Sequence, residues 1–184
     1  MKSQATAGRD ANKLKAPKRR VLIVDDHPLM RQGLAQLVNQ QPDLTVCGEA
    51  EDVPEALQKT SDLKPDVVIV DLSLKGSDGI ELIRNLRSRS AQLPVLVLSM
   101  HDEALYAERA LKAGAWGYIM KQEATGQVLS GLRRVLSGEI HVSHRVSSKI
   151  VQGMVGGPGA SERPPIERLS DREFGVFRKI GGGA

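Results

Sequence analysis

Three runs constrain this chain more than any other feature: VLIV (21–24), VVIV (67–70) and VLVL (95–98) are apolar at every position and rich in β-branched side chains. A strand with one wet face alternates apolar and polar residues, so unbroken runs imply strands covered on both faces, the condition of a parallel sheet. In full the strand-like segments are RVLIVDD (20–26), LTVCGEA (44–50), DVVIVDL (66–72), PVLVLSM (94–100) and GYIMK (117–121), each separated by an amphipathic stretch of helix length. Alternation of this kind marks an α/β chain. Helix starts are written into the intervals. Asp52 precedes a proline and Glu55 in DVPE, the spacing of a capping box, and Asp78 and Glu81 repeat it in DGIE. Pro28 suits an opening turn, after which Leu34, Leu37 and Val38 supply an inward face. Five strands, five helices and right-handed crossovers predict a doubly wound five-stranded parallel sheet in the order 2-1-3-4-5, followed by a helical C-terminal extension.

Composition narrows the setting. At 184 residues and 40% hydrophobic content the chain can bury a core. The single cysteine, Cys47, sits in an apolar run and cannot form an intrachain disulfide, which suits a reducing cytoplasm. The first twenty residues contain no signal-peptide core and no later segment is long enough to span a bilayer, so the expected protein is soluble, cytoplasmic and free of membrane contact. The net charge of +4 belongs to the ends: residues 1–20 hold seven Lys or Arg against one Asp, whereas residues 21–138 hold twelve against sixteen Asp or Glu. Residues 1–18 read as a disordered basic tail, with a solvated tail favoured over a binding arm.

The strand ends carry the chemistry. In doubly wound sheets ligands bind beyond the carboxyl ends of the strands, and here those ends deliver Asp25 and Asp26, Asp71, Ser99 and Lys121. Asp71 is expected at the exit of its strand rather than in the core. Three carboxylates about 4–6 Å apart repel by about 3–4 kcal/mol per pair at an effective dielectric near 20. Lys121 offsets part of this, and a hard divalent cation is the natural complement, Mg2+ rather than Zn2+, since neither a thiol nor a clear imidazole accompanies the cluster. No G-x-x-x-x-G-K-S/T and no G-x-G-x-x-G follows VLIV, so neither a P-loop nucleotide site nor a dinucleotide fold is supported. The site instead suits one phosphoryl group held by Mg2+, a lysine and a hydroxyl.

Taken together, VLIVDD, DVVIVDLSLKGSDG, VLVLSM and GAWGYIMK resemble the receiver domain of bacterial two-component response regulators, in the NarL/FixJ-like subfamily that joins a receiver to a LuxR-type helix-turn-helix. The resemblance covers about residues 19–138. It implies that Asp71 accepts a phosphoryl group, that Asp25 and Asp26 help bind Mg2+ with the Ser73 main-chain carbonyl, and that Ser99 and Lys121 contact the phosphoryl oxygens. It also implies a switch in which Tyr118 turns inward as the Ser99 hydroxyl moves, a sensor histidine kinase as donor, and a phosphorylation-enhanced homodimer. Plainer readings stand beside these: Asp71 as a turn residue, Asp25 as a cap for the first helix, Ser99 as a hydroxyl bonded to backbone, Lys121 as a surface lysine, Tyr118 as packing. Lys75 departs from the family, which commonly has proline there, and His101 stands near the mouth of the site. Trp116 is expected to pack near the fourth helix, and His141 and His144 to be solvated.

After Gly138 the pattern changes. Val142, Val146, Ile150 and Met154 fall four apart and predict a linker helix that leans on a neighbour, and GGPGASERPP reads as a tether, together residues 139–168. Residues 169–184 open with Ser170 and Glu173 in a capping box and resemble the start of a LuxR-type helix-turn-helix. The helices that would read DNA have no residues left to form them, so DNA binding is expected only of a longer parent. The competing function classes are an Mg2+-dependent aspartyl phosphotransferase or phosphatase, disfavoured because Ser73 stands where a second acid/base Asp is needed, and an interaction module that never takes phosphate.

Overall fold

A computed structural model describes residues 17–76 and 78–155. Within them lie β1 (Arg19–Val24), α1 (Pro28–Asn39), β2 (Leu44–Ala50), α2 (Val53–Leu63), β3 (Val67–Val70), α3 (Gly79–Arg89), β4 (Val95–Ser99), α4 (Glu103–Ala113), β5 (Gly117–Met120), a 3-10 turn (Lys121–Glu123), α5 (Ala124–Leu136) and α6 (His144–Val155). All neighbouring strands are parallel, in the order β2-β1-β3-β4-β5. The expected fold is therefore found.

The unbroken apolar runs are explained by the two cores they face. Successive residues of a strand point to opposite sides of the sheet. Val21 and Ile23 of β1, Val67 and Ile69 of β3 and Leu96 and Leu98 of β4 bury against Leu34 and Val38 of α1 and Val128, Leu132 and Val135 of α5. Leu22 and Val24, Val68 and Val70, and Val95 and Val97 face the other way, onto Ile83 and Leu86 of α3 and Ala107 and Ala110 of α4. Each fully buried Val, Leu or Ile contributes roughly 1.5–3 kcal/mol, so neither face can tolerate a polar position.

Local chemistry sets the helix ends. Asp52 accepts the Glu55 N–H at 2.8 Å, but Glu55 returns its bond to the Glu51 N–H at 2.9 Å, one residue earlier than a capping box requires. Asp78 accepts the Ile80 N–H at 2.9 Å, and Asp102 caps α4 through the Ala104 N–H at 2.8 Å. Gly114 ends α4 at φ 115°, a conformation that favours glycine.

Three expectations are corrected. Trp116 packs on the α1 and α5 face of the sheet rather than near α4, because Trp116 precedes β5 with its side chain on the side opposite Tyr118. His141 is buried, not solvated: its main chain accepts the Tyr118 N–H at 2.8 Å and donates to the Trp116 carbonyl at 2.9 Å, so residues around 141 run beside β5 as a short bridge. Desolvation, assisted by Arg134, holds its imidazole below the usual histidine range. Asp71 is also buried, as described below. The linker helix does lean on a neighbour. Val146 is buried and Val142 and Ile150 half-buried in the core that α4 shares, and Ser143 Oγ donates to Glu103 Oε1 at 2.8 Å. The basic tail through residue 16, the Met154 side chain, the tether and the Ser170–Glu173 capping box lie outside the described residues.

Candidate functional site

Strand register builds the site. Val24 pairs with Val70, so Asp25 and Asp71 leave adjacent strands side by side, and the Asp71 N–H donates to the Val24 carbonyl at 2.8 Å. Ser99 pairs with Met120 at the ends of β4 and β5, which places Lys121 one step beyond. Of the seven expected site residues, Asp25, Asp26, Asp71 and Lys121 converge directly, while Ser73, Ser99 and Tyr118 join them through a fourth-strand loop.

Lys121 lies across the rim. Its Nζ is 2.7 Å from Asp25 Oδ2 and 2.7 Å from Asp71 Oδ2. Burial alone would lower its pKa, but the bonds to Asp25 and then Asp71 outweigh it and hold the ammonium above the ordinary lysine range. The plain reading of Lys121 as a surface residue is excluded by its burial.

Asp71 is 1% exposed, as deeply buried as Ile69 of the strand before it, where the sequence placed it at an open exit. Lys121 covers Oδ2, and Oδ1 accepts the Ser73 N–H at 3.1 Å. A charged carboxylate can be buried this deeply because both oxygens have donors. From the other side α3 closes in: a Cβ on Gly79 would stand 2.5 Å from Leu72 Cα and 2.7 Å from the Asp71 carbonyl, so only glycine lets the helix approach the acceptor loop.

Asp25 does not cap α1 through the first helical turn. Its Oδ1 accepts the N–H of His27, the N-cap residue, at 2.9 Å, and Arg31 binds its carbonyl at 2.6 Å. Asp26 is the unsatisfied member: Oδ1 is buried and accepts no hydrogen bond, although His27 Nδ1 stands 2.8 Å away. An orphaned carboxylate oxygen beside two further carboxylates is a donor set for a hard cation, and the rim fits one. The imidazole that the sequence reading did not find at the cluster is His27, which lies within 2.8–3.9 Å of oxygens from Asp26, Asp25 and Asp71. In the sequence its signal was adjacency alone, in DDHP.

Ser99, buried at the end of β4, accepts the His101 N–H at 3.1 Å, so its bond is to backbone. His101 in turn meets Ser73 Oγ through Nε2 at 2.9 Å, takes the Tyr118 hydroxyl on its carbonyl at 2.8 Å and stacks on Tyr106 with centroids 4.4 Å apart. His101 thus links all three. Tyr118 is buried, and burial lifts its hydroxyl well above the usual phenol range, keeping it a donor.

The fold and this rim define a doubly wound α/β domain whose strand ends gather three carboxylates and a lysine. A model of the response regulator receiver domain matches residues 21–133, and the chain belongs to that family. It is 31% identical over 166 residues to a nitrate/nitrite response regulator homologue of Haemophilus influenzae, covering 90% of this chain and 77% of the relative. Against the nitrate/nitrite response regulator NarL of Escherichia coli it is 30% identical over 163 residues, covering 89% and 75%. The crystal structure of a LuxR-family two-component response regulator from Aurantimonas superposes with a TM-score of 0.69 at 32% identity, covering 76% of this chain and 99% of that one. The chain is thus a receiver of the NarL/LuxR type, a class that works in two-component signalling and transcription regulation. Among the described residues no helix is long and apolar enough to cross a membrane.

Proposed function

We propose that the chain is a phosphorylation-driven switch in which Asp71 is the acceptor. A phosphoryl group leaves the imidazole nitrogen of a sensor histidine kinase for a carboxylate oxygen of Asp71. The P–N bond breaks as the P–O bond forms, and the donor nitrogen keeps the electron pair and regains a proton. Asp25 and Asp26, with the Ser73 carbonyl, would hold Mg2+, which supplies charge neutralisation for the transferred group. Lys121 already bonds Asp71 and is placed to take a phosphoryl oxygen instead, and Ser99 offers a hydroxyl to another. Transfer needs positioning and charge rather than a general base, so no further acid/base residue is required.

The observation that carries the reading is the Lys121 ammonium held 2.7 Å from both Asp25 and Asp71 inside the protein. A rearrangement of Ser99 and Tyr118 through the His101 loop would convey the event to α4, β5 and α5. On this reading residues 19–138 form the receiver, residues 139–168 link it to an output unit, and residues 169–184 begin a LuxR-type DNA-binding element. The protein would work in the cytoplasm, with self-catalysed phosphoryl uptake and hydrolysis as its only chemistry and a phosphorylation-dependent homodimer as its assembled state. Intact-mass measurement after acetyl phosphate and Mg2+ tests it: one labile phosphoryl adduct is expected, absent in Asp71→Ala. Turnover of added phosphoesters would instead favour a phosphatase, and no adduct at all a module that never takes phosphate.

A further inference from the structure

His27 has no role in that scheme, yet it is held at the rim by its own backbone. Pro28 fixes the start of α1, and the His27 N–H is bound to Asp25 Oδ1 at 2.9 Å. The side chain caps no helical amide. Its Nδ1 stands 2.8 Å from Asp26 Oδ1, 3.1 Å from Asp25 Oδ1 and 3.9 Å from Asp71 Oδ2. Around an octahedral ion with bonds near 2.1 Å, adjacent donors are about 3.0 Å apart and opposed donors about 4.2 Å. Two of the spacings suit neighbouring corners and the third approaches an opposed pair. One donor atom from each of Asp25, Asp26, His27 and Asp71 lies within 4.8 Å of the others. A second observation points the same way: Asp26 is nine-tenths buried, and its Oδ1 accepts no hydrogen bond. Lys121 engages Oδ2 of Asp25 and leaves Oδ1 of that carboxylate to His27, while Asp71 Oδ2 is shared, 2.7 Å from Lys121 Nζ and 3.9 Å from His27 Nδ1.

We infer that His27 is itself a ligand of the cation held at this rim, and that it tilts the site from Mg2+ toward divalent ions that accept nitrogen, Mn2+ foremost. The inference rests on the metal site proposed above. Magnesium prefers an all-oxygen shell and keeps its water, whereas an imidazole is a better donor to the transition ions. As a ligand the ring presents the Nδ1 lone pair and carries its proton on Nε2. Without an ion the same ring can only screen the carboxylates by hydrogen bonding.

The test uses the full chain with Mn2+ as probe. Electron paramagnetic resonance of free Mn2+ gives the affinity, Mg2+ competition gives the preference, and pulsed measurement detects nitrogen bound to the ion. Nitrogen modulation is expected in the native protein, changing frequency on 15N-histidine labelling and vanishing in His27→Leu. The preference for Mn2+ over Mg2+ should fall roughly tenfold in that variant, within the range typical for losing a supporting group at a metal site. His27→Gln serves if the leucine variant does not fold. Bound Mn2+ without nitrogen modulation, or modulation that survives replacement of His27, overturns the ligand role alone. Mn2+ binding that is unchanged in Asp26→Asn places the ion elsewhere and overturns both this inference and the metal site beneath it.

Discussion

Lys121 and Asp71 each tolerate burial only because of the other, together with Asp25. Replacing Lys121 by Met leaves two carboxylates adjacent and uncompensated in a poorly solvated rim. Breaking a buried ion pair from one side commonly costs 3–5 kcal/mol, so urea denaturation of Lys121→Met should show a loss of about 3 kcal/mol, partly recovered by added Mg2+. An unchanged midpoint would mean that the ion pairs of Lys121 add nothing to stability. His141 gives a prediction of opposite character. Its pKa is lowered in the folded state by burial and by Arg134, so the unfolded chain binds the proton first as pH falls. Stability should therefore be full above about pH 6.5 and decline below it, by at most about 1.4 kcal/mol per pH unit, and the decline should be shallower in His141→Asn. Parallel denaturation curves at pH 7.5 and 5.5 for the two proteins would decide this. The carboxylates and the lysine could be found in the sequence because each ends an apolar run. His27, His101 and His141 could not be placed that way, since their partners are set by loops whose path no periodicity records.

Elements proved legible where burial is two-sided. β2 has the limits of its apolar run, whereas β1, β3, β4 and β5 each stop short of the C-terminal end of theirs, leaving out Asp25 and Asp26, Asp71 and Leu72, Met100, and Lys121. Asp25 and Asp71 still donate their N–H groups to the adjacent strands, at Ala50 and Val24, before the chain leaves the sheet. The cap of α2 was readable from Asp52, but the return bond from Glu55 was not, because its target depends on how the chain enters the helix. The approach of α3 to the acceptor loop was also hidden in the sequence. Gly79→Ala tests it: the added methyl meets the backbone of Asp71 and Leu72, so α3 must retreat. A loss of roughly 1–3 kcal/mol is expected, with slower phosphoryl uptake at Asp71 measured by mass spectrometry.

For the molecule as a whole, α6 turns the receiver into a unit with a defined exit. Val146 is buried against the α4 face, and Ser143 both bonds Glu103 and accepts the Val146 N–H at 3.2 Å. The start of α6 is therefore registered to the first turn of α4, a few residues past Ser99 and His101. Val146→Asp places an unpaired charge in that contact. Hydrogen exchange should then rise across residues 144–152 while β1, β3 and β4 keep their protection; equal loss of protection throughout would mean that α6 belongs to the core rather than resting on it. The short stretch at His141 has a consequence of its own. By lying along β5 it occupies one rim of the sheet, which leaves β2, among the described residues, as the flank with spare main-chain groups. Assembly by addition of a foreign strand, whether useful or pathological, therefore finds its template at β2, and charged substitutions there are the economical way to prevent it.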